Sequence, residues 1–272
     1  MFLQAVRSTF NQVRSMKIVA ETALADNYMY YVIDDRTRKG FVVDLGDVSK
    51  VSEVERREEF TLTAAFVTHH HWDHAQGAPD LRKQYPDIKI YAGDPDRIHL
   101  TKAVKDNDVI EFGQLEIRVI GTPGHTTSHV CYYVQDTMTG KKALFTGDTI
   151  FLAGCGKFFE CPGSVMYDTI YNKLMNIVAD DTDMYFGHEY SLTNLKFAKE
   201  VEPMNARVSE KYDNVKTQLN SGKYSTPSLW GDEKLYNPFL RVNETSVKEY
   251  CQAEDPVQVL DKLRSKKNNF RG

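Results

Sequence analysis

The chain has 272 residues, 41% of them hydrophobic and 26% charged, a balance that suits a globular protein with a substantial core. A formal charge of −4 disfavours wholesale nucleic-acid binding, and no apolar run approaches the roughly 20 residues needed to span a bilayer. The four cysteines, at 131, 155, 161 and 251, are too sparse for a disulfide scaffold and include no Cys-x-x-Cys pair, so they read as reduced thiols.

In chain order, residues 1–15 carry Arg7 and Arg14 and no acid, with Phe2, Val6, Phe10 and Val13 at helical spacing. That composition fits a mitochondrial targeting segment or a plain frayed tail, and Met16 then serves as an internal start for a cytosolic form. Lys17–Ala20, Tyr28–Asp34 and Gly40–Asp44 predict short strands, with the polar Asp35–Lys39 run as a hairpin turn. Asp44, closing the third, suits a turn or a supporting place behind a site.

Next comes an apolar strand-like run, Leu62–Val67, then Thr68-His69-His70-His71-Trp72-Asp73-His74, then a helix-like stretch from Ala75 to Tyr85. The loop concentrates four of the eight histidines and an aspartate in seven residues. Imidazole and carboxylate hold zinc, iron or manganese, so this loop predicts metal binding. If it is extended, His69, His71 and Asp73 share one side and His70 and Trp72 the other, with His74 at the helix entry.

A catalytic metal needs about three protein ligands and an open position. Three later segments supply candidates, each at the end of an apolar strand-like run: His125 in Gly121–Thr126, Asp148 in Ala143–Thr149, and His188 in Met184–Tyr190. His129 falls in an alternating run and reads as structural or supporting; His99 reads as exposed. From Leu192 the pattern turns helical, through Leu195–Lys199 and Val208–Leu219, then a loop with Pro227 and Pro238. Val257–Lys267 follows, with Pro256 placed for a helix start.

Together these segments resemble the metallo-β-lactamase-fold hydrolases and, within them, the glyoxalase II (hydroxyacylglutathione hydrolase) family. The resemblance rests on Asp26–Tyr30, the His69–His74 loop, Ala153–Phe158, His188-Glu189-Tyr190, Asn194–Ala198, Val201-Glu202-Pro203 and Tyr236–Phe239. It runs from about Met16 to Phe270. It implies an α/β (α+β) fold: a metallo-β-lactamase αββα sandwich over residues 16–190, then a smaller C-terminal helical, substrate-binding domain over 191–272.

The resemblance also implies two divalent ions, zinc foremost with iron or manganese as alternatives. His69, His71 and His125 would hold the first, and Asp73, His74 and His188 the second. Asp148 would bridge both, alongside a bridging hydroxide that attacks a thioester, with Asp73 orienting it. His70, His99 and His129 are then spare. The implied reaction hydrolyses S-(2-hydroxyacyl)glutathione, chiefly S-D-lactoylglutathione, to glutathione and the hydroxy acid, the second step of methylglyoxal detoxification. Lys157, Phe159, Tyr190, Asn194, Arg264 and Lys267 fall at substrate-contact positions, in a monomer of the cytoplasm, the mitochondrial matrix or both.

Three departures stand out: Phe159 where the family often has tyrosine, Cys161 for a more usual glycine, and Asp44-Leu45-Gly46 for the common Asp-Pro. None touches an expected metal ligand. The rival readings are a glutathione persulfide dioxygenase of the same fold, which lacks the long helical tail, and a non-catalytic metal-binding protein, which would normally have lost ligands. A polynucleotide nuclease would want a broad basic surface that this chain lacks.

Overall fold

The computed structural model describes residues 15–272, so the targeting segment read at 1–15 lies outside them, Ser15 apart. Two six-stranded sheets pack face to face. In the first, β1 (Met16–Ala23), β2 (Asn27–Asp34) and β3 (Lys39–Val43) pair antiparallel through short turns. After helix α1 (Val51–Glu58), β4 (Thr61–Val67), β5 (Lys89–Ala92) and β6 (Lys102–Ala103) continue the sheet in parallel.

Both faces of this sheet are buried, which explains the unbroken apolar runs. Along β2 the period of two sends Tyr28, Tyr30 and Val32 into the interior between the sheets. Met29, Tyr31 and Ile33 point the other way, against Val51 and Val54 of α1 and Leu81.

The second sheet holds β7 (Val109–Phe112), β8 (Leu115–Gly121), β9 (Val130–Asp136) and β10 (Lys142–Gly147). A small hairpin follows, β11 (Ile150–Phe151) with β12 (Gly154–Cys155), and then β13 (Asp183–Phe186) lies parallel to β10. Strand β14 (Ser228–Leu229) edges this sheet beside β13. The result is the sandwich expected from the sequence.

The stretch expected as one helix over Ala75–Tyr85 is instead two, α2 (Trp72–Ala75) and α3 (Ala78–Gln84). The break has a packing cause. Gly77 donates its N–H to Leu45 O at 2.9 Å and sits so close that a Cβ would lie 2.6 Å from that oxygen. Because α2 starts at Trp72, the extended part of the histidine loop ends at His71, and Asp73 rides on a helical turn rather than beside His69 and His71 on an extended strand.

Behind the second sheet run α4 (Gly163–Tyr167), a π-helical segment (Asp168–Leu174) and α5 (Met175–Ile177). The C-terminal region is helical: α6 (Ser191–Val201), α7 (Ala206–Asn220), α8 (Trp230–Tyr236), α9 (Thr245–Cys251) and α10 (Pro256–Asn269). Pro256 opens α10, where Asp255 caps the Gln258 N–H. Phe197, Trp230, Phe239, Leu260 and Leu263 of this region are fully buried in the same cluster as the sandwich interior. Each such side chain contributes roughly 1.5–3 kcal/mol, which fixes the helices against the mouth of the site.

Candidate metal centre

Four strands end at one place. Beyond β4 lies the His69–His74 loop, beyond β8 His125, beyond β10 Asp148, and beyond β13 His188. The seven side chains expected as ligands converge there. His71 Nδ1 stands 3.0 Å from His69 Nε2 and 2.9 Å from His125 Nε2. His74 Nε2 stands 3.1 Å from His188 Nε2, and Asp73 Oδ2 is 3.6 and 3.4 Å from those two nitrogens. Between the groups, Asp148 reaches His74 at 3.4 Å through Oδ1, and His188 at 3.4 Å and His125 at 3.5 Å through Oδ2.

In four of the five imidazoles the other ring nitrogen is occupied, which sets the tautomer. His74 Nδ1 donates to Asp44 Oδ2 at 2.8 Å, His188 Nδ1 to Asp26 Oδ1 at 2.9 Å, and His125 Nδ1 to Lys157 O at 2.9 Å. His69 Nδ1 lies 3.0 Å from Thr68 Oγ1, and that hydroxyl donates to Asp44 Oδ2 at 3.0 Å. Each of these four imidazoles thus turns its Nε2 inward, the atom left to meet a cation. Asp44 therefore supports the site rather than merely closing a turn.

Electrostatics divide the histidines into two kinds. Burial, helped by neighbouring imidazoles, pushes His69 well below the ordinary histidine value and His71 down to about 4, and burial also lowers His125. Burial opposes the charge on His74 as well, but Asp148, Asp44 and Asp73 outweigh it and raise this group to about 9. Asp148 likewise lifts His188 against its burial. Asp148 itself stays ionised: burial works against the carboxylate, and His74, His188 and His125 overcome it.

These residues fit two divalent cations. His69, His71 and His125 form one donor group and Asp73, His74 and His188 another, while His69, His74 and Asp148 form a third between them. Donor atoms near 3 Å apart suit ions with bonds of about 2.1 Å. Asp148 Oδ1 is buried with no hydrogen-bond partner, a costly arrangement unless a cation lies against it.

The remaining histidines do other work. His129 stacks on His69 with ring centres 5.0 Å apart and accepts the Asp148 N–H through Nε2 at 3.2 Å. His99 is exposed, as expected. His70 turns away from the metal groups toward Arg97, which bonds Asp94 at 2.7 Å and Glu160 at 2.6 Å.

Beside the metal groups opens a cavity of about 350 Å³. Lys157, Phe159, Tyr190, Asn194, Arg264 and Lys267 all line it, together with His125 and Asp148. Arg264, only 8% exposed, donates through Nη1 to Cys155 O at 2.6 Å and through Nε to Asn268 at 3.1 Å; its Nη2 makes no hydrogen bond among the described residues. Lys267 Nζ donates to Thr193 O at 3.0 Å and is lowered to about 8 by burial and by neighbouring Arg264. Neither cation has a carboxylate partner among the described residues. Tyr190 stacks on His188 at 4.8 Å, and Phe159, 61% exposed, stands edge-on to His71 and His125.

Residues 25–188 match the family model of the metallo-beta-lactamase superfamily, and residues 189–270 match that of the hydroxyacylglutathione hydrolase C-terminus. A hydroxyacylglutathione hydrolase-like protein from Gallus gallus is 38% identical over 257 residues, 94% of this chain and 91% of that one. A cytoplasmic hydroxyacylglutathione hydrolase from Arabidopsis thaliana is also 38% identical, over 94% of this chain and all of its own length. This chain belongs to the hydroxyacylglutathione hydrolase family. Among solved structures, a metallo-beta-lactamase from Staphylococcus aureus shares the fold with a TM-score of 0.64 at 22% identity, covering 93% of this chain and 67% of that one.

Within this hydroxyacylglutathione hydrolase fold, some supporting residues escape a reading of the sequence. Asp26, in the turn before β2, and Asn27, the first residue of β2, hold His188 and Asp73; the resemblance singles out their segment but gives neither residue that role. Glu160 accepts from the Thr127 N–H and hydroxyl as well as from Arg97, tying the segment of Phe159 to the segment after His125. No local pattern announces that long-range pair.

Proposed function

We propose that the chain hydrolyses the thioester of S-(2-hydroxyacyl)glutathione, chiefly S-D-lactoylglutathione, releasing glutathione and D-lactate as the second step of methylglyoxal detoxification. The observation that carries the glutathione half is the pair of unneutralised cations, buried Arg264 and half-buried Lys267, in the cavity beside the metal groups. A buried cation without an anion is costly. A carboxylate of the thiol offsets that cost, best through the planar guanidinium.

In this reading His69, His71 and His125 would hold one ion and Asp73, His74 and His188 the other, with Asp148 placed to serve both. Two divalent ions so placed, zinc foremost with iron or manganese as alternatives, supply Lewis acidity to a water and to the thioester carbonyl. Asp73, held by Asn27 Nδ2 at 3.0 Å, is set to accept a proton and to orient the attacking water. Lys157, Tyr190 and Asn194 line the path of the thiol, and Phe159 shields its outer side.

The three buried cysteines do not compete for the chemistry. Cys131, Cys155 and Cys251 are buried, and burial raises Cys131 to about 12 and Cys155 to about 11, so both stay protonated and unreactive at neutral pH. Residues 16–190 are read as the catalytic part and 191–272 as the substrate-binding part of a monomer. No described helix is long and apolar enough to cross a membrane. A cytosolic form begun at Met16 and a mitochondrial form carrying residues 1–15 are both part of the proposal, and imaging both chains tests it.

The reading is tested by comparing S-D-lactoylglutathione with lactoyl thioesters of thiols that lack carboxylates. It requires a strong preference for the former; equal kcat/KM on all of them defeats it.

A further inference from the structure

Between Asp148 and Lys157 the chain makes a strap, the β11–β12 hairpin, whose two ends belong to the site. At its start Asp148 lies among the metal groups. At its finish Lys157 O accepts from His125 Nδ1, and Gly156 passes so near that a Cβ there would fall 2.9 Å from the same nitrogen. Ala153 at the tip has φ 52°, a region that L side chains seldom adopt. A hairpin this short does not hold such a shape unaided.

The strap backbone is gripped almost residue by residue from the helical region. Asn194 Nδ2 donates to Leu152 O at 3.0 Å, and Arg264 Nη1 to Cys155 O at 2.6 Å. Asn237 Nδ2 donates to both Phe151 O and Gly154 O at 3.1 Å. The Ala153 N–H donates to Glu233 Oε2 at 2.9 Å, and that oxygen also accepts from Asn237 Nδ2 at 3.0 Å. Glu233 Oε1 is fixed in turn by the Ser228 hydroxyl at 2.5 Å and the Tyr236 hydroxyl at 2.7 Å. Glu233 and Asn237 are fully buried and line no part of the cavity.

We propose that Glu233 and Asn237 are positioning residues for the reaction: they clamp the strap so that the Cys155–Lys157 wall stands at a fixed distance from Arg264, Lys267 and His125. The inference rests on the functional reading above. A thioester anchored by its thiol at Arg264 and Lys267 reaches the metal groups only if that wall does not shift, and misplacement by about 1 Å costs rate steeply. Asn194 and Arg264 then serve twice, holding the strap with one set of atoms and lining the cavity with others.

The test uses the full metal-loaded chain and S-hexylglutathione, a thioether that cannot be hydrolysed, with its Kd measured by calorimetry beside steady-state kinetics. In Asn237→Ala, folded by its cooperative melt and with parental metal content, Kd and KM are expected to rise several-fold and kcat to fall by roughly tenfold or more, as a displaced wall implies. Glu233→Gln keeps the volume and is expected to show the same pattern, which covers the case in which Asn237→Ala does not fold. Parental Kd and KM in a folded variant overturn the inference, because a merely structural clamp lowers the melting temperature and leaves both constants alone. If the parent chain itself fails to bind S-hexylglutathione, the functional reading falls, and this inference with it.

Discussion

Asp44 and His74 are thirty residues apart in sequence and bonded at 2.8 Å, with both side chains buried. Asp44 Oδ1 also accepts the Thr68 N–H at 2.8 Å, so one carboxylate sets the imidazole of His74 and the start of the histidine loop together. Such partners of metal-binding imidazoles commonly affect affinity by about 10–100-fold. Asp44→Asn keeps the shape but replaces an acceptor with an amide. The variant is expected to fold and to bind its second equivalent of zinc within that range more weakly than the parent, measured by competition with a chromophoric chelator. Parental affinity for both equivalents contradicts the role.

The seven converging side chains were legible because metal chemistry restricts both residue type and spacing, and because each follows an apolar run that ends in a turn. The αββα sandwich and the late helices followed from the same periodicity and from the family resemblance. The break at Gln76 and Gly77 was not legible, since it answers to Leu45 O, over thirty residues away. Nor was the clamp on the strap. Its recipients are backbone carbonyls, which every residue has, so nothing in Phe151–Cys155 marks them as gripped.

The two kinds of histidine predict two kinds of metal uptake. At pH 7 His69, His71 and His125 are neutral and accept a cation without losing protons. His74, raised to about 9 by Asp148, Asp44 and Asp73 against its burial, holds a proton that a cation must displace, and Asp148 shifts His188 in the same direction. Affinity of the second step therefore increases as pH rises toward 9, while the first is nearly flat above neutrality. Zinc titration of the metal-free chain in two buffers of different ionisation enthalpy is expected to show about one proton or more released in one step and almost none in the other. Equal release in both steps contradicts the assignment.

Lys267 gives the thiol side its own pH dependence. Its ammonium is lowered to about 8 by burial and then by Arg264, so the charge that would meet a carboxylate is present below that pH and lost above it. The Kd for S-hexylglutathione is expected to rise as pH climbs from 7 to 9 in the parent. In Lys267→Met the affinity is expected to be weaker at pH 7 and the rise to be smaller. An unchanged profile in the variant removes Lys267 from the binding site.

Phe159 presents an exposed ring at the mouth of the cavity, beside His71 and His125. Phe159→Tyr adds a hydroxyl in reach of a bound thioester. A gained hydrogen bond of about 0.5–1.5 kcal/mol lowers KM by roughly two- to tenfold with kcat little changed. Steady-state kinetics on S-D-lactoylglutathione check this, and an unchanged or higher KM argues that the ring faces solvent rather than substrate.

The most direct test is the hydrolysis of S-D-lactoylglutathione by the purified chain, followed by loss of the thioester absorbance through chelation and re-addition of zinc, with bound metal quantified at each stage. Activity is expected to vanish as the metal is removed and to return as the content approaches two ions per chain. Full turnover by a metal-free chain, or none by a chain carrying both ions, contradicts the account.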